Sequence, residues 1–185
     1  MRTIKIIAAL LITQWIGIGI QDVFAQQDEN IARTFAIKVK AGQGEKFVEA
    51  FKKHVAWRKK AGETWNWTTY QVANGQALGL FIARSGGHTW ADLNSHEAYS
   101  IKGGLDFNAN VAPYIETITS TIGRSNPNLS RLPENLDGVK MISGATYSLK
   151  PNKVQAFTAA FAKFHKLAGD HNYLWHYLFI NSVNG

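Results

Sequence analysis

TWNWTTYQVANG, residues 64–75, and LWHYLFINSVNG, residues 174–185, end on the same Asn-Gly pair and carry aromatic rings in the same places. Trp65 stands against Trp175, and Trp67 against Tyr177. In the first stretch Trp65, Trp67, Thr69 and Gln71 fall on one side of a period of two, and Asn66, Thr68, Tyr70 and Val72 on the other, as in a β-strand. In the second stretch Trp175, Tyr177, Phe179 and Asn181 oppose Leu174, His176, Leu178 and Ile180. The mainly aliphatic set suits packing against helices, so the aromatic set is expected to face away from them, toward a second sheet. Asn74-Gly75 supplies the two positive-φ positions of a tight hairpin turn.

The correspondence continues upstream without a gap. Residues 35–40, FAIKVK, align with 145–150, ATYSLK, and residues 47–51, FVEAF, with 157–161, FTAAF. Strand-face and helix-face positions match together, as repeated supersecondary units require. Thr34 to Lys40 alternates as a strand. Phe47, Ala50, Phe51, Val55 and Arg58 follow at helical spacing, and Gly62 stops that helix. A second strand over 64–73, a third over 77–85, a helix near 88–99, a further short helix before Pro113 and a fourth strand from 114 to about 124 complete a βαββαβ order. Residues 126–138, with Pro127, Pro133 and several asparagines, read as a linker. The second unit, 139–185, opens with a strand over 140–150, continues with a helix after Pro151-Asn152 and ends on a strand over 173–183. Half of a βαββαβ unit leaves a strand edge unpaired, so a longer chain is expected.

The N-terminus is read separately. Arg2 and Lys5 precede an almost wholly apolar stretch, Ile6 to Ile20, and Val23-Phe24-Ala25 fits a signal-peptidase site. Residues 1–25 are therefore expected to be a cleaved signal peptide, the mature chain to begin at Gln26, residues 26–125 to form the first unit, and the protein to be periplasmic or secreted. The apolar stretch is short of the roughly 20 residues that span a bilayer. There is no cysteine, which excludes disulfides, thiolate metal sites and lipid attachment to a cysteine. Removing Arg2, Lys5 and Asp22 from a formal net charge of +7 leaves about +6. The basic residues are scattered along helices, as in Lys52-Lys53 and Lys59-Lys60, and form no stripe interleaved with exposed aromatics, which argues against a nucleic-acid partner.

A tandem βαββαβ unit with an aromatic second strand resembles the dimeric α/β barrel superfamily, in which ferredoxin-like units pair their sheets face to face between subunits or between halves of one chain. The resemblance implies an α+β fold of tandem ferredoxin-like units, the second incomplete, with an interior between two sheets and a homodimer through sheet faces as an alternative closure. Members of that superfamily include cofactor-independent monooxygenases, haem-degrading enzymes and stress-response barrels, so the resemblance specifies architecture far more than activity. Haem-degrading members use a first-strand asparagine, and Thr34 to Lys40 contains none, so that role does not transfer.

Two groups of residues are candidates for chemistry. Trp65, Trp67, Trp175 and Tyr177, with Gln71 for polarity and Trp90 nearby, form a candidate lining for a small apolar or aromatic ligand; the same rings also serve as plain core, each burying roughly 150–250 Å². The second group is Ser85-Gly-Gly-His-Thr-Trp-Ala-Asp92. There His88 and Asp92, four apart on one helical face, form a candidate general base and its orienter, while Thr89 or His88 is equally placed to cap the helix. The six histidines form no HxH or HExxH pattern, and no phosphate loop or nucleophile triad is present, so no metal and no cofactor is expected. The functional expectation is an exported barrel that binds a small apolar or aromatic molecule between its sheets. An oxygenase acting without cofactor and a purely structural or self-associating module are the alternatives.

Overall fold

The computed structural model describes residues 30–133 and 138–183. The expected signal peptide, residues 1–25, and the closing Asn184-Gly185 lie outside them.

Strand β1, Ile31–Val39, is the centre of the molecule, with antiparallel neighbours on both sides. Helix α1, Gly44–Lys60, returns over the sheet and hands the chain to β2, Thr68–Gln71, and β3, Phe81–His88. Helices α2, Trp90–Ser95, and α3, Glu97–Asn110, lead through a turn at Ala112–Tyr114 to β4, Ile115–Ser125. Helix α4, Val154–Asp170, and the short β5, Ile180–Ser182, complete the chain. The sheet is five-stranded, in the order β2-β3-β1-β4-β5, every pair antiparallel. The first four strands and α1 and α3 have the ferredoxin-like arrangement of an α+β fold.

One face of the sheet carries the core. Ile37 of β1, Phe47 of α1 and Val111 after α3 are fully buried, with Phe35, Phe51, Phe81, Phe107 and Ile115 packed around them. Alternation fixes which residues share this face: Phe35 and Ile37 of β1 pair with Ala83 and Phe81 of β3. Gln71 and Thr69 of β2 continue the same side. The opposite face is built from Ala32, Thr34 and Ala36 of β1, Ile82, Arg84 and Gly86 of β3, Thr68 and Tyr70 of β2, and Thr117, Thr119 and Thr121 of β4.

Several expectations from the sequence change here. The turn at Asn74-Gly75 is not a two-residue hairpin. Pairing ends with Val72 N donating to Leu80 O at 2.8 Å, and the loop between them takes two successive turns, with Gly75 at φ +85° and Gly79 at φ +86°. The second glycine, overlooked in the sequence, makes the second turn possible. Gly86-Gly87 does not leave the strand either. Gly87, at φ +77°, is the extra residue of a bulge: Ile31 pairs with His88 and Ala32 with Gly86.

Residues 139–150, expected to hold a strand, form no regular element and are exposed throughout. A strand needs a neighbour to take its backbone hydrogen bonds, and this segment has none among the described residues. The expected strand 173–183 shortens to β5 and a single bridge between Tyr177 and Arg131, because the edge of β4 is what it pairs with. The start of the expected linker is ordered by that pairing. Leu129 is buried, and the Arg131 side chain donates to Ala168 O at 2.8 Å, satisfying a carbonyl at the C-terminal end of α4.

Candidate functional site

The end of α1 determines where the tryptophans go. Gly62, at φ +92°, lets the chain reverse so that Glu63 N donates to Arg58 O at 3.0 Å. The reversal brings the Glu63 carboxylate against the Arg58 guanidinium, which donates to it through Nε at 3.0 Å and also through Nη2. The same carboxylate accepts from Trp65 N at 2.9 Å and from His96 Nε2 at 2.9 Å. Trp65 therefore spends its amide on a side chain instead of on β3, and β2 begins only at Thr68. The Glu63 side chain is 4% exposed. Burial by itself would raise its pKa, but the bonds from Arg58, Trp65 and His96 outweigh it and hold the carboxyl below its ordinary value.

The Trp65 ring lies between two imidazoles, stacked on His88 at 3.7 Å and on His96 at 3.9 Å between centroids. The Gly87 bulge makes this possible. Were Gly87 paired as a regular strand residue, His88 would fall on the side of Gly86; because Gly87 is bulged out of the count, His88 returns to the side of Ser85 and shares a 2.7 Å hydrogen bond between Nε2 and Ser85 Oγ. Because the Glu63 carboxylate only accepts, neutral His96 carries its hydrogen on Nε2, and Nδ1 takes a hydrogen bond of 2.9 Å from Ser100 Oγ. Burial pushes the His88 pKa down, against the pull of Asp92 and Glu63. Trp67 packs on Phe35 at 5.7 Å, with the Arg58 guanidinium 5.4 Å from its ring.

This overturns the expected orientation of the aromatic face. Trp65 and Trp67 lie on the helix-covered side of the sheet, next to Phe35 and Arg58, and not in a sheet-to-sheet interior. The same inversion holds in the second segment, where Phe179 packs on Phe157 and Phe161 of α4, and Tyr177 on Phe161 and Phe164. Tyr177 Oη also bonds His165 Nδ1 at 2.9 Å. Trp175 is 71% exposed and touches Tyr173.

The expected base and orienter are not assembled as a pair. His88 ends β3 instead of opening a helix, and the Asp92 carboxylate accepts from Thr89 N at 2.7 Å while Thr89 Oγ1 accepts from Asp92 N at 3.0 Å. This reciprocal cap starts α2 and holds the Asp92 pKa down. Trp90 is the first residue of that helix. Gln71 lies apart from the tryptophans, in a cleft of about 730 Å³ shared with Val39, Val48, Glu49, Lys52 and Phe81. The six ligand candidates thus divide among separate places.

Sequence reading missed Glu63, His96, Arg58, Tyr99 and Ser100 as one network, which Tyr99 joins by donating from Oη to Arg58 O at 3.0 Å. A weak signal existed in the Gly62-Glu63 step after a helix ending in Arg58. A second unpredicted pair is His54 and Asp106, which share a 2.6 Å bond between Nδ1 and Oδ2 beside a cleft of about 600 Å³ with Trp57. Burial lowers the His54 pKa despite Asp106, and Nε2 is buried with no hydrogen-bond partner. Among the described residues no three His, Asp or Glu side chains converge on a possible metal site, and no helix is long and apolar enough to cross a membrane.

The remaining surface of interest is the sheet face away from α1 and α3. Across four strands Thr68, Arg84, Thr34 and Thr121 lie in register, and the adjoining row is Tyr70, Ile82, Ala36 and Thr119. On the other side of the arginine the row is Gly86, Ala32 and Gly123. Thr68, Thr119 and Thr121 are exposed.

No protein-family model matches the chain, and no curated protein sequence does. Among solved structures, an uncharacterized NIPSNAP-like domain protein from Burkholderia xenovorans is similar over 68% of this chain and 98% of its own, at 11% identity and a TM-score of 0.43.

Proposed function

We propose that the chain is an exported α/β-barrel protein that binds a small molecule against the open face of its sheet, in a cavity completed by a second sheet. One observation carries this reading: among the described residues helices cover only one face, and the other presents small and hydroxyl side chains, Thr34, Ala36, Thr68, Thr119 and Thr121, in a register that runs across four strands. Small residues leave room above a sheet, and a ligand site needs room with a few polar groups. The tandem arrangement offers one source for the covering sheet, because residues 177–183 already extend the first sheet past β4 with α4 packed behind them. A second copy of the chain, joined through sheet faces, is the other source. The body of the ligand is apolar or aromatic, resting on Tyr70, Ile82 and Ala36.

The test is calorimetric titration of the mature protein with a panel of small aromatic and aliphatic molecules. Ala36→Trp fills the face and abolishes binding, whereas Trp65→Phe, on the helix side, leaves it within about threefold. A ligand whose affinity survives Ala36→Trp would refute this location. Export is tested by the N-terminus of the protein made in its own host: a mature chain starting at Gln26 supports it, and an intact Met1 in the cytosol refutes it.

A further inference from the structure

We propose that the molecule bound on this face is an anion, a small carboxylate with an apolar body, and that Arg84 holds its head. This rests on the cavity reading above and adds the chemistry of the ligand to it.

The charges on the face point to Arg84. Of its two cations, Lys38 is engaged by Glu116 at 2.7 Å. Arg84 has no carboxylate within ion-pair distance among the described residues. Its bond to a neighbour is Nη1 to Thr34 Oγ1, long at 3.3 Å, which leaves most of the five N–H donors of a guanidinium to be satisfied from elsewhere. Arg84 stands on β3, between β2 and β1, and is partly buried, and burial lowers its pKa. A desolvated cation without an anion is a cost that a fold seldom carries without use.

The surroundings suit a carboxylate. A side chain at Gly86 would begin 3.7 Å from Arg84 Nη2, so the missing Cβ leaves the lane beside the guanidinium open. Thr68 and Thr34 flank Arg84 in register, and Thr121 stands beyond Thr34, hydroxyls able to donate to a second oxygen. Ile82, two residues from Arg84 on the same face, and its cross-strand partner Tyr70 form the apolar floor. A planar guanidinium pairs with carboxylate through two parallel bonds, which gives orientation as well as affinity.

The experiment compares acids with matching alcohols on the full mature chain by calorimetry: benzoate against benzyl alcohol, octanoate against octanol. The acids are expected to bind roughly 10- to 100-fold more tightly, the range of a charge-assisted hydrogen bond. Arg84→Gln removes that preference and leaves the alcohols unchanged, and Arg84→Lys restores part of it. Should Arg84→Gln lose its folded circular-dichroism spectrum, Gly86→Val fills the lane with the charge intact and is expected to remove the preference as well. Equal binding of acids and alcohols, with neither variant altering either, overturns the anion and leaves the cavity standing. Binding of neither class overturns both.

Discussion

Replacing Glu63 tests the network around Trp65 most directly. Its carboxylate accepts from three groups, Arg58, Trp65 N and His96, and its side chain is 4% exposed. Glu63→Ala strips all three of their acceptor and leaves the Arg58 charge, 19% exposed, without its partner. Breaking a buried ion pair from one side costs about 3–5 kcal/mol, a large share of the 5–15 kcal/mol of a typical domain. Glu63→Gln keeps an oxygen for Trp65 N and should cost about 2–3 kcal/mol. The measurement is urea unfolding at pH 7 followed by both circular dichroism and tryptophan fluorescence, and the alanine variant should also melt about 6–20 °C lower. The pH dependence gives a second check. The folded carboxyl releases its proton more readily than the unfolded one, whose pKa is about 4.3. Its contribution is therefore complete above that value and is lost as pH falls through the lower folded value. The gap between wild type and Glu63→Gln should hold from pH 7 to about pH 5 and shrink below about pH 4. A loss under about 1 kcal/mol for the alanine variant would show that the network contributes specificity of geometry and little stability.

His88 should titrate below the ordinary imidazole value of about 6.5, since burial depresses its folded pKa. Stability present above that value is lost as pH falls through the folded pKa, and His88→Gln should remove that component of the acid limb. A variant with an unchanged acid limb would contradict it. Gly87→Ala should cost about 1–2 kcal/mol, because φ is +77° while no heavy atom lies within 4 Å of a new Cβ; equilibrium unfolding measures strain alone there, and an unaffected variant would argue against the bulge. Gly123→Ala should destabilise through contact instead, since its Cβ would sit 2.7 Å from Ile180 Cγ2; pairing Gly123→Ala with Ile180→Ala should recover part of the loss, and the absence of any coupling would count against β5 lying beside β4.

Local signals were legible and facing was not. The periodicity of Phe47, Phe51 and Val55 placed α1, and its match in Phe157 and Phe161 after Pro151-Asn152 placed α4, because a helix needs an apolar stripe wherever it packs. The alternation of Trp65 and Trp67 was read correctly as alternation, but their side was assigned from an aliphatic set in the second segment. The helix layer instead takes the rings, since Arg58 and Phe35 offer them cation and core contacts that only the tertiary structure supplies. The Glu63–His96 contact joins residues 33 apart, a separation at which no local pattern operates. Residues 140–150 alternate as a strand should, yet propensity forms no strand without an edge to join. The open face was hardest to see, because alanine, threonine and glycine at every second position produce almost no hydrophobic contrast.

Gly87 has a further consequence for how this chain tolerates change. A β-sheet counts in twos, and the bulge is a single beat added to that count just before the chain leaves the sheet. Deleting Gly87 would preserve every hydrophobic residue and the net charge and leave His88 opposite Ile31 in strict alternation, whereas pairing Gly87 as a regular strand residue would put His88 out of phase, away from Trp65 and on the side of Arg84. Loops ordinarily absorb insertions and deletions; here a short span inside a strand holds one residue in reserve, so that the loss of Gly87 is absorbed without moving any side chain from one face of the sheet to the other.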